Sequence, residues 1–440
     1  MPESRHDQAI LDSSRTSIDG WLHPDFEGVA AALRALLKSN PGGAAVCVYH
    51  RGVCVADLWG GVKNRRGAPW THDTMAPSFS TTKGVASTLM HVAVDRGLVD
   101  YDDPVAKHWP EFAQAGKDRI TIRQVMAHQS GLYHIRQMID RADRMLDWDY
   151  MVRAIERTAP IHEPGTRTGY HGLTYGFLVG EILQRVTGRA FPRLVHDELV
   201  RPLGLDGMYV GAPDEALPRA AELLWPETSV MAPVDVLAHG GLASTLLTGG
   251  ANALQGVLRL VGVQLDLASI LDALAPNGIT SFEFGAHDTL RAAIPAANGL
   301  FTARSLARMY AALAGGGEID GVRLMSPGTL ARATEVQEAP AGRVVIPFDM
   351  RWRLGYHGVA TTRGVPKRAF GHFGFGGSGA WADPRRDLAV ALIVNSGLGT
   401  PFGDTRILRI SGAALACASM RTSPPSVRRA EQPALVYVPA

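Results

Sequence analysis

The segment Ser80-Thr81-Thr82-Lys83 places a hydroxyl and an amine three residues apart along the chain. On a helix, residues at this spacing share one face, so the two side chains come within reach of each other. A lysine whose pKa is lowered by burial can accept the serine proton, and the free N–H groups of a helix N-terminus favour an oxyanion. The spacing therefore predicts nucleophilic chemistry, with Ser80 as nucleophile and Lys83 as base.

The sequence around Lys83 favours this prediction over an exposed lysine that matches by chance. Residues 84–94 (GVASTLMHVAV) contain no Asp, Glu, Lys or Arg, and a helix without charge on any face is usually buried. A buried ammonium is costly unless it has a purpose, and an arginine, which keeps its proton, does not act as a base. The chain uses arginine for most of its 44 basic residues, and lysine stands only at positions 38, 63, 83, 107, 117 and 367.

Strands predicted at both ends of the chain, and helices predicted between them, must position these groups. Apolar runs of strand type cover residues 44–49, 53–58, 380–382 and 388–395. Helical patterns cover residues 25–39, 80–96, 120–128, 150–157, 172–186 and 406–420. This order predicts one α/β domain built from both ends of the chain, with a mainly helical domain inserted. The expected boundaries are 20–100 with 296–421 for the α/β domain, 101–295 for the helical domain, and 1–19 and 422–440 for terminal tails.

The composition excludes several other classes of protein. A hydrophobic fraction of 46% in 440 residues excludes wholesale disorder, and a net charge of +2 without a basic block argues against a nucleic-acid partner. Three cysteines cannot form a disulfide framework, and without C-x-x-C or H-E-x-x-H motifs we expect no metal and no cofactor. No apolar stretch reaches the roughly 18 residues of a membrane span, and the polar N-terminus lacks a signal-peptide core. We therefore expect a cytoplasmic protein.

Three further signals have better explanations in structure than in chemistry. Residues 374–379 fit G-x-G-x-x-G but precede a strand rather than a helix, which argues against a dinucleotide site. Ser378 lies in G-x-S-x-A, one residue short of a nucleophile elbow, and a glycine-rich edge approached by substrate explains it better. Residues 230–290 are rich in Leu and Gly; we expect core of the helical domain, with a mobile lid over an acyl pocket as the alternative.

Three segments, in this order, resemble the serine β-lactamase and penicillin-binding-protein superfamily in its class C and esterase branch. Ser80 to Lys83 with the uncharged helix after it resembles the S-x-x-K motif. Residues 164–172 (PGTRTGYHG) resemble the region of the catalytic tyrosine, with Tyr170 as the match, and residues 371–378 (GHFGFGGS) resemble the strand that carries K-T-G. Similarity at 127–132 and 295–299 extends the resemblance over residues 20–400. It implies an α+β, sandwich-like fold, in which helices flank an antiparallel sheet formed from both termini.

Departures from the class C pattern indicate the subfamily. Gly172 stands where class C β-lactamases have the Asn of Y-x-N, and His372 and Phe373 stand where they have the Lys and Thr of K-T-G. Histidine near pH 7 is mostly neutral, whereas lysine offers a permanent cation to a substrate carboxylate. The site has thus lost groups that hold an anionic β-lactam, and the pattern resembles the family VIII carboxylesterases.

The resemblance implies a serine carboxylesterase that cleaves short-chain esters through an acyl-enzyme on Ser80, with Lys83 and Tyr170 sharing the role of base. A nearby ammonium is expected to lower the pKa of Tyr170, so that a phenolate accepts the serine proton. The oxyanion hole maps to the backbone N–H groups of Ser80 and Phe375. Substrate contacts are expected near these groups, at His372, Gly374, His171, Tyr133 and Trp381. Packing is the alternative role for the last three.

Two kinds of alternative remain open. The same machinery serves an acyltransferase, a weak β-lactamase or a D-amino-acid peptidase. A relative that only binds ligands or assembles is a different class of answer, although a binder has no need of Ser80, Lys83 and Tyr170 together. The expected partner is a small ester, without nucleic acid or a membrane span, and the sequence leaves a homo-oligomer open.

Overall fold

The computed structural model describes residues 17–225, 266–397 and 404–420. Strands from both ends of the chain form one seven-stranded antiparallel sheet in the order β1-β3-β2-β14-β13-β12-β11. Its strands are β1 Ile18–Leu22, β2 Ala44–His50, β3 Val53–Gly60, β11 His357–Gly358, β12 Phe370–Phe373, β13 Gly379–Asp383 and β14 Leu388–Val394. Seven short strands lie elsewhere among the described residues: β4 Ala76–Pro77, β5 Thr168–Gly169, β6 Met208–Tyr209, β7 Leu300–Phe301, β8 Glu318–Ile319, β9 Val322–Arg323 and β10 Arg343–Val344. They form a three-stranded sheet, β4-β7-β6, and the pairs β5-β10 and β8-β9.

Helices cover both faces of the sheet and fill the middle of the chain. They are α1 Glu27–Lys38, α2 Thr81–Asp95, α3 Val105–His108, α4 Ile122–Met126, α5 Ile135–Met138, α6 Trp148–Arg157, α7 Thr174–Thr187, α8 Phe191–Val195, α9 Arg201–Leu203, α10 Leu267–Leu274, α11 His287–Arg291, α12 Ala303–Ala314, α13 Pro327–Ala333 and α14 Thr405–Met420. Single turns of 3₁₀ helix lie among them, and a π-turn at His196–Val200 joins α8 to α9. Within the described ranges, the structure contains no helix with the length and apolar character of a membrane span.

Local sequence explains the centre of the sheet. The hairpin between β2 and β3 turns at Arg51 and Gly52, whose φ angles are +54° and +71°, as a two-residue turn of type I′ requires. The runs AAVCVYH of β2 and LAVALIV of β14 are buried along their whole length. A continuous apolar run is typical of a strand covered on both faces.

Two apolar cores lie on the two faces of the sheet. On one face α1 and α14 pack against each other and on the strands, with Leu33 and Ile407 among the buried residues. On the other face α12 packs on β2, β13 and β14, and α2 lies between β12 and α7. All residues of α2 from Thr81 to Val94 are buried. The uncharged sequence of this helix therefore corresponds to a central position in the core, as expected.

The structure confirms the α+β fold with its antiparallel sheet formed from both ends, and it corrects two boundaries. Ile18 and Asp19, expected in a terminal tail, belong to β1 and pair with Gly60 and Trp59 of β3. The helix expected over 120–128 covers only α4, because a capping box at Thr121 begins it. Residues 230–265 of the predicted core or lid, and residues 1–16 and 422–440 of the predicted tails, lie outside the described residues. The division into two domains stays a prediction.

Candidate active site

Ser80 lies at the N-cap of α2, behind a residue in a rarely adopted conformation. Phe79 has a φ of +45°, in the left-handed region that costs free energy for a residue with a side chain. Thr82 holds this turn, because its Oγ1 donates to the Phe79 carbonyl at 2.6 Å and accepts from the Gly299 N–H at 2.9 Å. The backbone thus holds the partly exposed Ser80 side chain at the end of a buried helix.

Lys83 is fully buried one turn further along α2. Its Nζ lies 3.1 Å from Ser80 Oγ and donates to the carbonyls of Gly172 at 2.6 Å and Ala296 at 3.0 Å. Burial lowers the pKa of Lys83 well below its usual value, which favours the neutral amine. A neutral amine has two N–H bonds and one lone pair. The two carbonyls accept both N–H bonds, so the lone pair is left to face the Ser80 hydroxyl.

Tyr170 completes a hydrogen-bonded group of three side chains. Its hydroxyl donates to Ser80 Oγ at 2.8 Å, and Lys83 Nζ lies 5.0 Å from the centre of its ring. Burial raises the pKa of Tyr170 far above its usual value, and the bond to Ser80 only partly opposes this. Both shifts argue against the expected phenolate, because burial also lowers the pKa of the lysine that was to supply the positive charge. Tyr170 stands in the site as a proton donor.

His128 and Trp352 hold Tyr170 in place. The residues on either side of Tyr170 are tied to His128, since the Gly169 N–H donates to its carbonyl at 2.8 Å and the His171 N–H to its Nδ1 at 3.2 Å. The Trp352 ring stacks on Tyr170 with centroids 5.4 Å apart and an interplanar angle of 19°. Sequence reasoning missed Trp352, because a single aromatic residue outside any motif carries no local signal.

Two residues predicted to contact substrate, His171 and Tyr133, pack behind Tyr170. His171 is fully buried with both ring nitrogens engaged, Nε2 with Ser130 Oγ at 2.6 Å and Nδ1 with the Gly169 carbonyl at 2.6 Å. The prediction that it contacts substrate is wrong, because the ring braces the loop of Tyr170 from inside. Tyr133 is only 4% exposed and packs so close to Gly169 that a Cβ there would lie 2.2 Å from its ring. For Tyr133 the structure therefore favours the packing alternative.

The prediction that Trp381 contacts substrate is also wrong. Its buried indole donates from Nε1 to Ser411 Oγ of α14 at 2.9 Å. Ala380 and Ala382, its neighbours on β13, belong to the core around α2, whereas Trp381 belongs to the core on the opposite face. Successive strand residues point to opposite faces, which puts Trp381 on the side away from Ser80.

His372 lies on β12 opposite Ala380, on the face of the sheet that meets α2. The side chain is buried, and its ring centre is 6.3 Å from that of Tyr170. Nδ1 lies 3.1 Å from the Phe373 carbonyl, and Nε2 has no hydrogen-bond partner among the described residues. Burial, with help from His357, lowers the pKa of His372 well below its usual value. The imidazole is therefore neutral, as its type suggested, and offers no cation to a substrate.

A glycine-rich turn between β12 and β13 faces the start of α2. A Cβ at Gly374 would lie 2.3 Å from the Ser78 carbonyl, so only glycine fits this approach. Thr81 Oγ1 donates to the Ser378 carbonyl at 3.2 Å, which ties the turn to α2. The backbone N–H groups of Ser80 and Phe375 have no partner within the described ranges. Both are therefore available to a developing oxyanion.

The Ser378 side chain is committed elsewhere, since its Oγ exchanges hydrogen bonds with the backbone of Val394. Four aromatic rings meet beside the turn, with centroid distances of 5.1 to 5.9 Å: Phe79, Trp225, Phe284 and Phe375. They give the neighbourhood of Ser80 an apolar wall. The part of the chain that the structure describes holds no group of three or more His, Cys, Asp or Glu side chains arranged to bind a metal.

The chain is similar to known proteins over most of its length. The family model described as Beta-lactamase matches residues 29–415. Over 389 residues the chain is 36% identical to the esterase/beta-lactamase LipL of Mycobacterium tuberculosis, covering 86% of this chain and 82% of that protein. A solved family VIII carboxylesterase superposes with a TM-score of 0.77 at 32% identity, over 91% of this chain and 100% of the other. A penicillin-binding protein homologue from Caulobacter crescentus gives 0.75 at 33% identity, with the same coverage.

Proposed function

The chain belongs to the beta-lactamase family, and from that premise we propose that it is a serine carboxylesterase acting on short-chain esters through an acyl-enzyme on Ser80. The proposal rests on the hydrogen bonds of Lys83 Nζ. Two carbonyls accept its N–H bonds, and Ser80 Oγ lies 3.1 Å from Nζ. The names of the relatives support the reaction class, since an esterase/beta-lactamase and a family VIII carboxylesterase are among them.

The first half of the reaction acylates the serine. Ser80 Oγ attacks the ester carbonyl while its proton moves to the lone pair of Lys83, and the carbonyl oxygen becomes an oxyanion that the N–H groups of Ser80 and Phe375 stabilise. As the intermediate collapses, the bond to the alcohol breaks, and the Tyr170 hydroxyl gives its proton to the departing oxygen. The Lys83 ammonium then returns a proton to Tyr170. Both groups end this half in the protonation states that burial favours.

The second half releases the acid by the same path in reverse. Water enters where the alcohol left, and its proton passes through Tyr170 to Lys83 while its oxygen attacks the acyl carbon. The intermediate collapses by breaking the bond to Ser80 Oγ, which takes the proton back from Lys83. No permanent cation takes part, because the imidazole at position 372 is neutral. This favours uncharged esters over substrates that carry a carboxylate, such as β-lactams and D-amino-acid peptides.

The test is hydrolysis of p-nitrophenyl acetate and butyrate by wild type, Ser80→Ala and Tyr170→Phe. Loss of the nucleophile should lower kcat/KM by at least about 10³-fold, and loss of the phenol proton by about 10²-fold. Ser419→Ala, at an exposed position near the end of α14, is the matched control and should behave as wild type. A fluorophosphonate probe should label wild type at Ser80 and leave Ser80→Ala unlabelled.

Three results would overturn the assignment. Unchanged ester hydrolysis by Ser80→Ala removes Ser80 as nucleophile, and labelling of that variant at Ser378 moves the role there. A wild-type protein that is inert to the probe and to all esters supports the binding or assembly alternative. A chromogenic cephalosporin and an alcohol acceptor, assayed alongside, separate the esterase from a β-lactamase and from an acyltransferase.

A further inference from the structure

Only two backbone hydrogen bonds within the described turn around Phe375 stabilise it. It contains the successive glycines Gly376 and Gly377 with φ angles of +97° and +105°. Its internal bonds are Gly374 N–H to the Ser378 carbonyl at 2.8 Å and Gly377 N–H to the Gly374 carbonyl at 3.2 Å. Glycine samples many backbone conformations at similar free energy. The direction of the Phe375 N–H therefore depends on contacts from outside the turn.

Arg406, in the first turn of α14, supplies such a contact. Its Nη2 donates to the Gly376 carbonyl at 2.8 Å. Asp404 fixes the guanidinium, accepting from Nε at 2.9 Å and from Nη2 at 2.6 Å. Nη1 donates to Asn40 Oδ1 at 3.0 Å. The side chain of Arg406 is 14% exposed and that of Asp404 is 3% exposed, so these charge-assisted bonds are largely protected from water.

The ion pair also fills the space next to the turn. A Cβ at Gly377 would lie 2.8 Å from Arg406 Nη2 and 3.0 Å from Asp404 Oδ2. The guanidinium is thus in contact with the turn backbone on the side of α14, while Thr81 holds Ser378 on the side of α2. Because Asp404, Asn40 and Gly376 occupy four of its five N–H donors, Arg406 is positioned to hold the backbone of the chain rather than a substrate.

We propose that Arg406, fixed by Asp404, is a positioning residue that aims the Phe375 N–H at the oxyanion formed on Ser80. The proposal rests on the proposed function, because it assigns a support to the oxyanion hole of that reaction. Donors of this kind act on charge that develops in the transition state. Loosening the turn should therefore lower kcat and leave binding of the ground-state ester almost unchanged.

The experiment compares wild type with Arg406→Gln, Arg406→Lys and the control Arg409→Gln, whose site is exposed on the same helix. Rates are divided by the concentration of Ser80 titrated with a fluorophosphonate, so that unfolded protein does not count. We expect Arg406→Gln to lower kcat by about 10- to 100-fold with less than about a three-fold change in KM. Arg406→Lys, which keeps a cation near the carbonyl, should recover part of the loss, and Arg409→Gln should match wild type.

Phenylboronic acid gives a second measurement, because its tetrahedral adduct with Ser80 places an oxygen in the oxyanion hole. Its affinity should fall in Arg406→Gln by a factor similar to the fall in kcat, a change that lower stability alone does not produce. Asp404→Asn, which loosens the guanidinium without removing it, should show a smaller fall in the same direction. If Arg406→Gln does not fold, the kcat and inhibitor affinity of Asp404→Asn decide the question.

A kcat per titrated Ser80 within about two-fold of wild type, with unchanged inhibitor affinity, overturns the positioning role. This failure is distinct from failure of the proposed function. If wild type turns over no ester, the function is wrong, yet boronic acid affinity and the rate of fluorophosphonate labelling still report on the oxyanion hole. A drop in both for Arg406→Gln then supports the positioning role even without a known substrate.

Discussion

Two of the six lysines are fully buried, and their surroundings differ in a single acceptor. Lys117 precedes α4, and its Nζ donates to three carbonyls, those of Gln114 at 2.7 Å, Glu156 at 2.8 Å and Thr158 at 2.7 Å. Lys83 has two carbonyls and, in the third position, the hydroxyl of Ser80. A carbonyl only accepts a hydrogen bond, whereas a hydroxyl can also donate one.

The acceptors and the nearby charge together favour a different protonation state at each lysine. An ammonium has three N–H bonds and no lone pair, so three carbonyls match the charged form at Lys117. The pKa of Lys117 falls only to about 8, because the charge of Glu156 partly offsets burial. Burial alone sets the pKa of Lys83, which falls much further. The groups around Nζ therefore suit a structural cation at Lys117 and, in the proposed reaction, a base at Lys83.

The largest effect that tests the comparison is expected from Lys83→Met. Methionine fills a similar volume without a lone pair for the serine proton, so kcat/KM for p-nitrophenyl esters should fall by at least about 10³-fold. Lys83→Arg should be equally inactive, because the guanidinium keeps its proton. Activity within ten-fold of wild type in either variant would show that Lys83 is not the base.

Lys117→Met should lower stability and leave activity almost unchanged. The variant removes the Nζ donor from three partly buried carbonyls, and we expect a loss of about 3 kcal/mol in the free energy of unfolding. The kcat per titrated Ser80 should stay within about two-fold of wild type, because Lys117 has no contact with the candidate site. Urea unfolding and ester hydrolysis measure the two quantities on the same preparation. A large fall in kcat with unchanged stability would contradict the structural role.

Side-chain spacing made much of this site predictable from the sequence. Ser80 and Lys83 follow from their spacing and the uncharged helix after them, and Tyr170 follows from the resemblance of its segment. The carbonyls of Gly172 and Ala296, which accept both N–H bonds of a neutral Lys83, carry no sequence signal because every residue has a carbonyl. The phenolate expected at Tyr170 assumed a charged Lys83 beside it, and the lowered pKa of that buried lysine argues against the assumption.

The assignment of Trp381 to the site failed because the sequence does not show which face of the sheet a strand residue occupies. Trp381 was assigned to the site because it lies near the turn of Phe375, but alternation along β13 puts it on the other face from Ala380, which pairs with His372. Knowing the register of the two strands would have excluded it. Arg406 differs, because its contact with Gly376 joins residues 30 apart in sequence, and only the packing of α14 on the sheet brings them together.

The smallest effect expected is also the most direct comparison of the two lysines: the pH dependence of stability between pH 6 and 7.5. In this range the unfolded chain protonates both lysines, whose usual pKa is about 10.4. Burial lowers the pKa of native Lys83 well below its usual value; a lysine kept neutral in this range binds one proton fewer than the unfolded state, and stability then rises with pH. The difference in unfolding free energy between wild type and Lys83→Met should therefore grow by about 1.4 kcal/mol per pH unit.

Lys117 should behave differently. Its pKa is about 8 in the folded protein, so it is mostly charged in the folded and the unfolded state alike, and the difference in unfolding free energy between wild type and Lys117→Met should stay nearly flat up to pH 7.5 and rise only above it. Urea unfolding of the three proteins across this range measures both slopes. If the unfolding free energies of wild type and Lys83→Met change in parallel with pH, native Lys83 keeps its proton in this range. That result would contradict the proposed contrast between the two lysines.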